Sequence, residues 1–162
     1  MLSPSDTILG QKLSELSGDE RSELLNFFLL WSLFDKSFGD GWIRADDIKK
    51  TDWDSIGLTL SEIHDESNYF RTRYWSGGAA TPEFFALNVR EAEGKAEVLS
   101  FLSSSAIDPK DSVVAVLLIV LRLRHNTFHG EKWPYRFKEQ LNNFRNANSV
   151  IAKALLVGGH GR

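Results

Sequence analysis

The sequence predicts an all-α fold, an antiparallel bundle of about five helices. Three observations lead to this class. Apolar residues recur at helical spacing in most segments, helix caps precede those segments, and no segment has the alternating pattern of a convincing strand. Short connections between the segments favour antiparallel neighbours. A chain of 162 residues, 42% of them hydrophobic, is long enough to bury the core of one domain.

The first helix is predicted to begin after Ser17, which forms a capping box with Glu20. Apolar residues then recur at helical spacing, which predicts a long buried helix ending near Phe38: Leu24, Phe27, Phe28, Trp31 and Phe34. The segment after it is rich in glycine and aspartate. This composition predicts a loop with one helical turn around Arg44 to Lys50.

Three further helices are predicted before residue 130. The pattern of residues 59–75 is helical and stops at a Gly-Gly pair. Thr81 is a predicted N-cap, and Gly94 is expected to bend or split the helix that follows it. Asp108 caps the next helix, which we expect to run to Gly130.

A last helix is predicted to begin at Pro134 and to end in the glycines near the carboxyl end. No internal repeat or low-complexity linker interrupts the chain. We therefore expect one domain, with no flexible linker between its helices.

Composition excludes several classes of protein and site. The chain has no cysteine, which excludes disulfides and thiolate metal sites. Its longest apolar run, Val113 to Leu121, has nine residues, whereas a membrane span needs about 20. The first residues lack the basic and apolar regions of a signal peptide. We therefore expect a soluble, cytoplasmic protein without a membrane partner.

The net charge of −3 conceals a division along the chain. Residues 1–120 hold 20 acidic against 11 basic residues, a net charge of −9, while residues 121–162 hold 8 basic against 2 acidic, a net charge of +6. A basic region of this kind attracts phosphate. The alternative is that its lysines and arginines only solvate a helix face.

The predicted helix from Asp108 begins as core and ends in titratable residues, LRLRHNTFHGEKWP at 121–134. On a helix, Arg124 continues the stripe of Val114, Leu117 and Leu121. A guanidinium buried there without acceptors would cost several kcal/mol. Arg124 is therefore predicted either to meet a carboxylate or carbonyl, or to line a cleft for an anionic ligand. Arg122, Asn126 and His129 form a second, polar face.

The residues Arg124-His125-Asn126-Thr127-Phe128-His129 resemble the R-x4-H signature of the HEPN superfamily, the higher eukaryote and prokaryote nucleotide-binding domains. The following Gly130 and Lys132 are similar to those of small stand-alone prokaryotic members. The long aromatic helix and the later YFRTRYW also resemble that group. The resemblance extends over a core of about residues 19–157 within a single domain, 1–162.

The resemblance implies a metal-independent endoribonuclease without a cofactor, often a toxin or defence effector, that cleaves single-stranded RNA at a homodimer interface. It implies Arg124 and His129 as the catalytic pair and Asn126 as the supporting polar residue. Arg122, His125 and Lys132 are then candidates for binding RNA. One departure is that His125 directly follows the arginine, with the asparagine one position later. An antitoxin or regulatory protein is a further partner of such enzymes.

The chemistry of these residue types suits the same reaction. Cleavage of RNA by its own 2′-hydroxyl needs a base, an acid and a cation for the charge that grows on phosphorus. Histidine, with an unperturbed pKa of about 6.5, serves either proton role, and arginine holds two phosphate oxygens at once. On one straight helix, however, Arg124 and His129 lie about 140° apart. Either the helix loosens before Gly130, or the second subunit brings the complementary residue. The resemblance, which implies a site shared by two subunits, favours the second alternative.

Other interpretations compete with this one. His125 and His129 have the spacing of helical zinc ligands, but the scattered His64, Asp65 and Glu66 supply no evident third ligand. The YFRTRYW stretch fits either base stacking or core aromatics beside solvated arginines. The cluster at 122–129 also fits a salt-bridged helix end.

The sequence is also compatible with two other functions. One is a catalytically inactive HEPN-like module that binds nucleotide, RNA or a protein partner, because some members of the family lack activity. The other is an interaction protein whose dimerisation is its function.

Overall fold

The fold is built almost entirely from helices, as predicted. A computed structural model of the chain describes Pro4 and residues 16–128 and 140–159. Within these residues the α helices are α1 Gly18–Phe38, α2 Ala45–Lys50, α3 Trp53–Ile56, α4 His64–Tyr74, α5 Pro82–Leu87, α6 Lys95–Ser103, α7 Pro109–Phe128 and α8 Leu141–Val157. A 3₁₀ turn covers Glu91–Glu93, and two short strands are β1 Trp75–Ser76 and β2 Ala79–Ala80. The all-α class is confirmed.

The described residues contain eight α helices, where the sequence predicted about five in the whole chain. Five of the eight have nine residues or more, and the other three, α2, α3 and α5, have four to six. These short helices lie in segments where turns interrupt the chain every few residues, so each helix ends soon after it begins. Helix α2 is the single turn expected around Arg44 to Lys50, and α3 was missed.

Helix α7 lies at the centre of the fold. Every residue from Ala115 to Arg124 is buried, so the helix is enclosed around its circumference. Helices α2 to α6 all contact it. A helix that is apolar on all sides is stable only inside such a shell. The two arginines near its end, Arg122 and Arg124, are consequently buried with it.

Helices α1 and α8 pack against each other, and ion pairs across this contact join the basic carboxyl-terminal region to the acidic amino-terminal half. Phe27 of α1 meets Phe144 of α8 with ring centroids 5.3 Å apart. Arg145 of α8 forms ion pairs with Asp19 at 3.4 Å and Glu23 at 3.8 Å on α1. Part of the basic carboxyl-terminal region therefore neutralises acidic residues of the amino-terminal half. Arg136 and Lys138 lie outside the described residues.

The predicted caps are present in the structure. Ser17 and Glu20 form the reciprocal capping box of α1, and Thr81 accepts a hydrogen bond from the backbone of α5. The predicted helix after Thr81 is split, but at two places: α5 ends at Leu87 with Asn88 in a left-handed C-cap, and Gly94 separates the 3₁₀ turn from α6. The predicted extension of α7 to Gly130 and the predicted start of the last helix at Pro134 lie outside the described residues.

A small hairpin departs from the expectation of no strands. Strands β1 and β2 pair antiparallel over two residues each. Gly77 and Gly78 both have positive φ, at 59° and 80°, a conformation that suits a tight two-residue turn and that few other residues adopt. Two residues are too few to show an alternating pattern in the sequence.

None of the helices in the described part of the chain is long and apolar enough to cross a membrane.

Candidate functional site

The carboxyl end of α7 presents two different polar environments on opposite sides. Each residue turns about 100° around a helix axis, so Arg122 and Arg124 lie about 160° apart, while Asn126 lies about 40° from Arg122. The structure accordingly brings Arg122, His125 and Asn126 together and places Arg124 apart from them. The two sides differ in chemistry, because aromatic rings surround Arg124 and a carboxylate and a carbonyl oxygen face Arg122.

Arg124 is surrounded by aromatic rings. Its Cζ atom lies 4.5 Å from the ring centroid of Trp42, 4.7 Å from that of Phe128 and 5.9 Å from that of Trp31. Phe28 packs edge-on against Phe128, with centroids 4.8 Å apart. We call Arg124 with Trp31, Trp42 and Phe128 the arginine cage. Each such ring contributes about 0.5–2 kcal/mol of cation–π attraction.

The arginine cage contains hydrogen-bond donors without acceptors. The Nε atoms of Arg124 and of the Trp31 indole are both buried and have no hydrogen-bond partner. None of the ion pairs or hydrogen bonds formed by the described residues includes Arg124, whose exposed fraction is 8%. Burial lowers the pKa of Arg124, and the nearby charge of Asp35 raises it in opposition. The guanidinium stays charged, because arginine titrates far above neutral pH.

The opposite side of α7 is a closed network around Glu93. Arg122 donates from Nε to the carbonyl oxygen of Leu87 at 3.1 Å, and its Nη1 lies 3.0 Å from Glu93 Oε2. Asn126 donates from Nδ2 to the same Leu87 oxygen at 2.8 Å. We call Arg122, His125, Asn126 and Glu93 the Glu93 cluster. It ties the end of α7 to the residues after α5.

His125 belongs to the Glu93 cluster. Its Nδ1 lies 3.0 Å from Glu93 Oε1, and its side chain is 19% exposed. Burial lowers the pKa of His125, although the Glu93 carboxylate acts in the opposite direction. Burial likewise lowers the pKa of Arg122, again opposed by Glu93. Since the folded pKa of His125 lies below its unfolded value, its contribution to stability is present above the unfolded pKa and is lost as the pH falls.

A small cavity of about 100 Å³ opens beside Asn126, between α4, α5, α7 and α8. Arg73, Gln140 and Asn143 contribute polar groups to its lining. Asn143 accepts a hydrogen bond from the Tyr69 hydroxyl at 2.8 Å. This volume holds a few water molecules and is too small for a nucleotide.

His129 and Lys132, two of the residues predicted from the sequence, lie outside the described residues. Helix α7 is described up to Phe128, directly before His129. The structure therefore gives the surroundings of Arg124, Asn126, Arg122 and His125 only.

The sequence reasoning missed two residues that define these surroundings. Glu93 stands 29 residues before Arg122 in a segment of short turns, and nothing in its spacing marks it as a partner. Trp42 follows the Gly-Asp-Gly turn after α1, which brings its ring back over Arg124. The glycines predicted a turn there, but not its direction.

The YFRTRYW stretch contributes aromatic residues to the core. Phe70 and Tyr74 are 0% and 1% exposed, so neither is available to stack on a base. The two arginines are half-buried rather than solvated, and Arg71 lies over the ring of Phe101, with its Cζ 4.6 Å from the centroid. Of the two interpretations of this stretch, the structure supports core aromatics.

Comparison with family models, with curated proteins and with solved structures finds no match to this chain.

Proposed function

We propose that this protein is a metal-independent endoribonuclease of the HEPN type that cleaves single-stranded RNA, with Arg124 and His129 as its catalytic pair. The observation that carries the proposal is the state of Arg124. It is charged, buried and without an acceptor among the described residues, near the end of a helix whose middle, Val113 to Leu121, is apolar. Fixed, unpaired donors of this kind favour an anion that arrives with the substrate.

The proposed reaction is a transesterification within the RNA. The 2′-hydroxyl loses its proton to a base and attacks the adjacent phosphorus, and the bond from phosphorus to the 5′-oxygen breaks. The leaving oxygen takes up a proton, which gives a 2′,3′-cyclic phosphate and a 5′-hydroxyl. The guanidinium of Arg124 stabilises the charge on the phosphorus oxygens, and His129 transfers a proton.

The Glu93 cluster has a positioning role in this proposal. Arg122 and Asn126 already share the carbonyl oxygen of Leu87, and His125 contacts Glu93. These bonds fix the end of α7, and therefore the position of Arg124. Sites built on such fixed elements hold reacting groups more closely than mobile loops do. Lys132 stays a candidate for a phosphate contact.

The products of the reaction test the proposal. Purified protein should cleave a single-stranded RNA in EDTA and leave 2′,3′-cyclic phosphate and 5′-hydroxyl ends, which end-labelling and mass spectrometry identify. The same oligonucleotide with 2′-deoxyribose throughout is the control and should stay intact. Products with 5′-phosphate, or cleavage that EDTA stops, would exclude this mechanism.

An exposed apolar stripe on α1 supports the homodimer. Leu25, Leu29 and Leu33 are 57–59% exposed and follow one another every four residues, so they lie within about 80° of the helix surface. Phe28, on the adjoining side of α1, contacts Phe128 of the arginine cage. Contiguous apolar surface of this kind is typical of protein interfaces. A second copy seated on the stripe would bring two arginine cages near each other.

Leu29→Glu should therefore convert a dimer into a monomer, because it places a charge in the middle of the stripe. Sedimentation of both proteins at micromolar concentration measures the change. Leu156→Glu is the matched control, since Leu156 is 71% exposed on α8, and it should leave the dimer intact. A monomeric wild type, or a dimer that survives Leu29→Glu, would remove this interface.

A further inference from the structure

Trp42 is more exposed to solvent than a side chain of its size usually is, and this exposure forgoes the free energy of burial. It is 57% exposed although it is the largest type of apolar side chain, and it lies beside a charged group. A large aromatic ring left in water loses the free energy that burial would supply. The backbone at Trp42 nevertheless lies in a turn with several hydrogen bonds.

The turn between α1 and α2 fixes the backbone on both sides of Trp42. The Gly41 amide donates to the carbonyl oxygen of Asp35 at 2.9 Å, and the Asp35 carboxylate accepts a hydrogen bond from the Ile43 amide at 3.0 Å. A Cβ atom at Gly39 would come within 2.5 Å of the Ile43 backbone, so only glycine allows this close approach. Hydrogen bonds and close packing therefore hold the backbone on both sides of Trp42.

The indole of Trp42 combines a cation with an accessible aromatic surface. The Arg124 guanidinium lies 4.5 Å from its ring centroid, while more than half of the residue's surface faces solvent. A ligand that stacks on the indole would have its other groups beside a guanidinium that is unpaired among the described residues. A nucleotide has both parts, an aromatic base and an anionic phosphate.

We propose that Trp42 is a stacking platform for an unpaired nucleobase, next to a phosphate held by Arg124. The proposal names a binding subsite of the proposed ribonuclease and rests on that function for the identity of its ligand. Stacking on an aromatic side chain tolerates every base, because each base has a π face. Trp42 is then a contact of binding and takes no part in proton transfer.

The test compares two ligands of equal charge. The His129→Ala protein serves as the background, because it should not degrade RNA, and Trp42→Ala is added to it. Ten-residue oligouridylate and an abasic ribose-phosphate decamer are titrated and followed by fluorescence anisotropy. Loss of stacking should weaken binding of oligouridylate roughly 5- to 150-fold and leave binding of the abasic decamer unchanged.

Two further variants in the same background separate stacking from other roles. Trp42→Phe keeps an aromatic face and should recover most of the affinity for oligouridylate. Phe85→Ala removes another exposed aromatic residue, 70% exposed on α5, and should change nothing. The order of affinities, with phenylalanine between tryptophan and alanine, is specific to stacking.

Equal weakening of both ligands by Trp42→Ala would show that the ring acts only through Arg124, and it would overturn the proposal. Unchanged binding of oligouridylate, or no binding of either ligand by the background protein, would overturn it too. Cleavage by the wild type is measured separately. A wild type that cleaves nothing but binds oligouridylate through Trp42 would contradict the proposed function and keep this subsite.

Discussion

Arg124→Met should remove most of the RNA cleavage activity and leave the protein at least as stable as the wild type. The substitution keeps an unbranched apolar stem against the rings of the arginine cage. It also removes a buried charge that no described residue pairs, and that gain offsets the cation–π attraction that is lost. Loss of one group that stabilises the reacting phosphate should reduce the rate roughly 10²- to 10³-fold.

Arg124→Lys extends the same experiment. Lysine keeps the positive charge within the aromatic rings but has no planar fork for two phosphate oxygens. Most of the activity should therefore be lost here as well. Circular dichroism and thermal unfolding report the fold, and initial rates on one RNA report the activity. Full activity in the lysine variant would mean that the arginine supplies charge alone.

Arg122→Met is the matched control for Arg124→Met, because it makes the same change two residues earlier on the same helix. Arg122 pairs with the Glu93 carboxylate and donates to the Leu87 carbonyl oxygen, and methionine would remove both interactions. Breaking a buried ion pair by removing one partner costs about 3–5 kcal/mol. The free energy of unfolding should fall for Arg122→Met and should not fall for Arg124→Met. The reverse order would contradict the roles assigned to the two arginines.

Local signals in the sequence predicted the helices well. The capping box of Ser17 with Glu20 and the cap at Thr81 act over three residues, so the sequence alone contains the whole interaction. The apolar stripe also predicted that Arg124 continues a core face, and Arg124 is buried, but so is Arg122 on the face expected to be polar. The caps depend on neighbours along one helix, whereas the burial of both arginines depends on the helices that surround α7.

Features that depend on distant segments could not be predicted. From its sequence, Arg124 was expected to meet a carboxylate, a carbonyl or an anionic ligand, whereas in the structure rings from α1 and from the turn after it surround the guanidinium. The pairing of Arg145 with Asp19 joins residues 126 positions apart. Such contacts depend on how the helices pack, which periodicity does not specify.

The site residues divide along the same line. The family resemblance groups Arg124 with Asn126 in one short motif, whereas helix geometry already placed Asn126 with Arg122 on a second face. The structure agrees with the helix geometry, because Asn126 and Arg122 both donate to Leu87 and His125 contacts Glu93, away from the arginine cage. Adjacency in a motif is therefore a poor guide to adjacency in a helical site.

If Arg124 and His129 cleave RNA without a metal ion, replacing His129 by alanine should stop the reaction. A positioned acid or base contributes roughly 10²- to 10⁴-fold to a rate, so the variant should lose detectable cleavage while its helical spectrum stays unchanged. The measurement is the initial rate on one single-stranded RNA in EDTA, with wild type and variant purified side by side. Only the wild type should cleave the RNA, if the proposed function is right. Equal cleavage by both preparations, or none by the wild type, would contradict it.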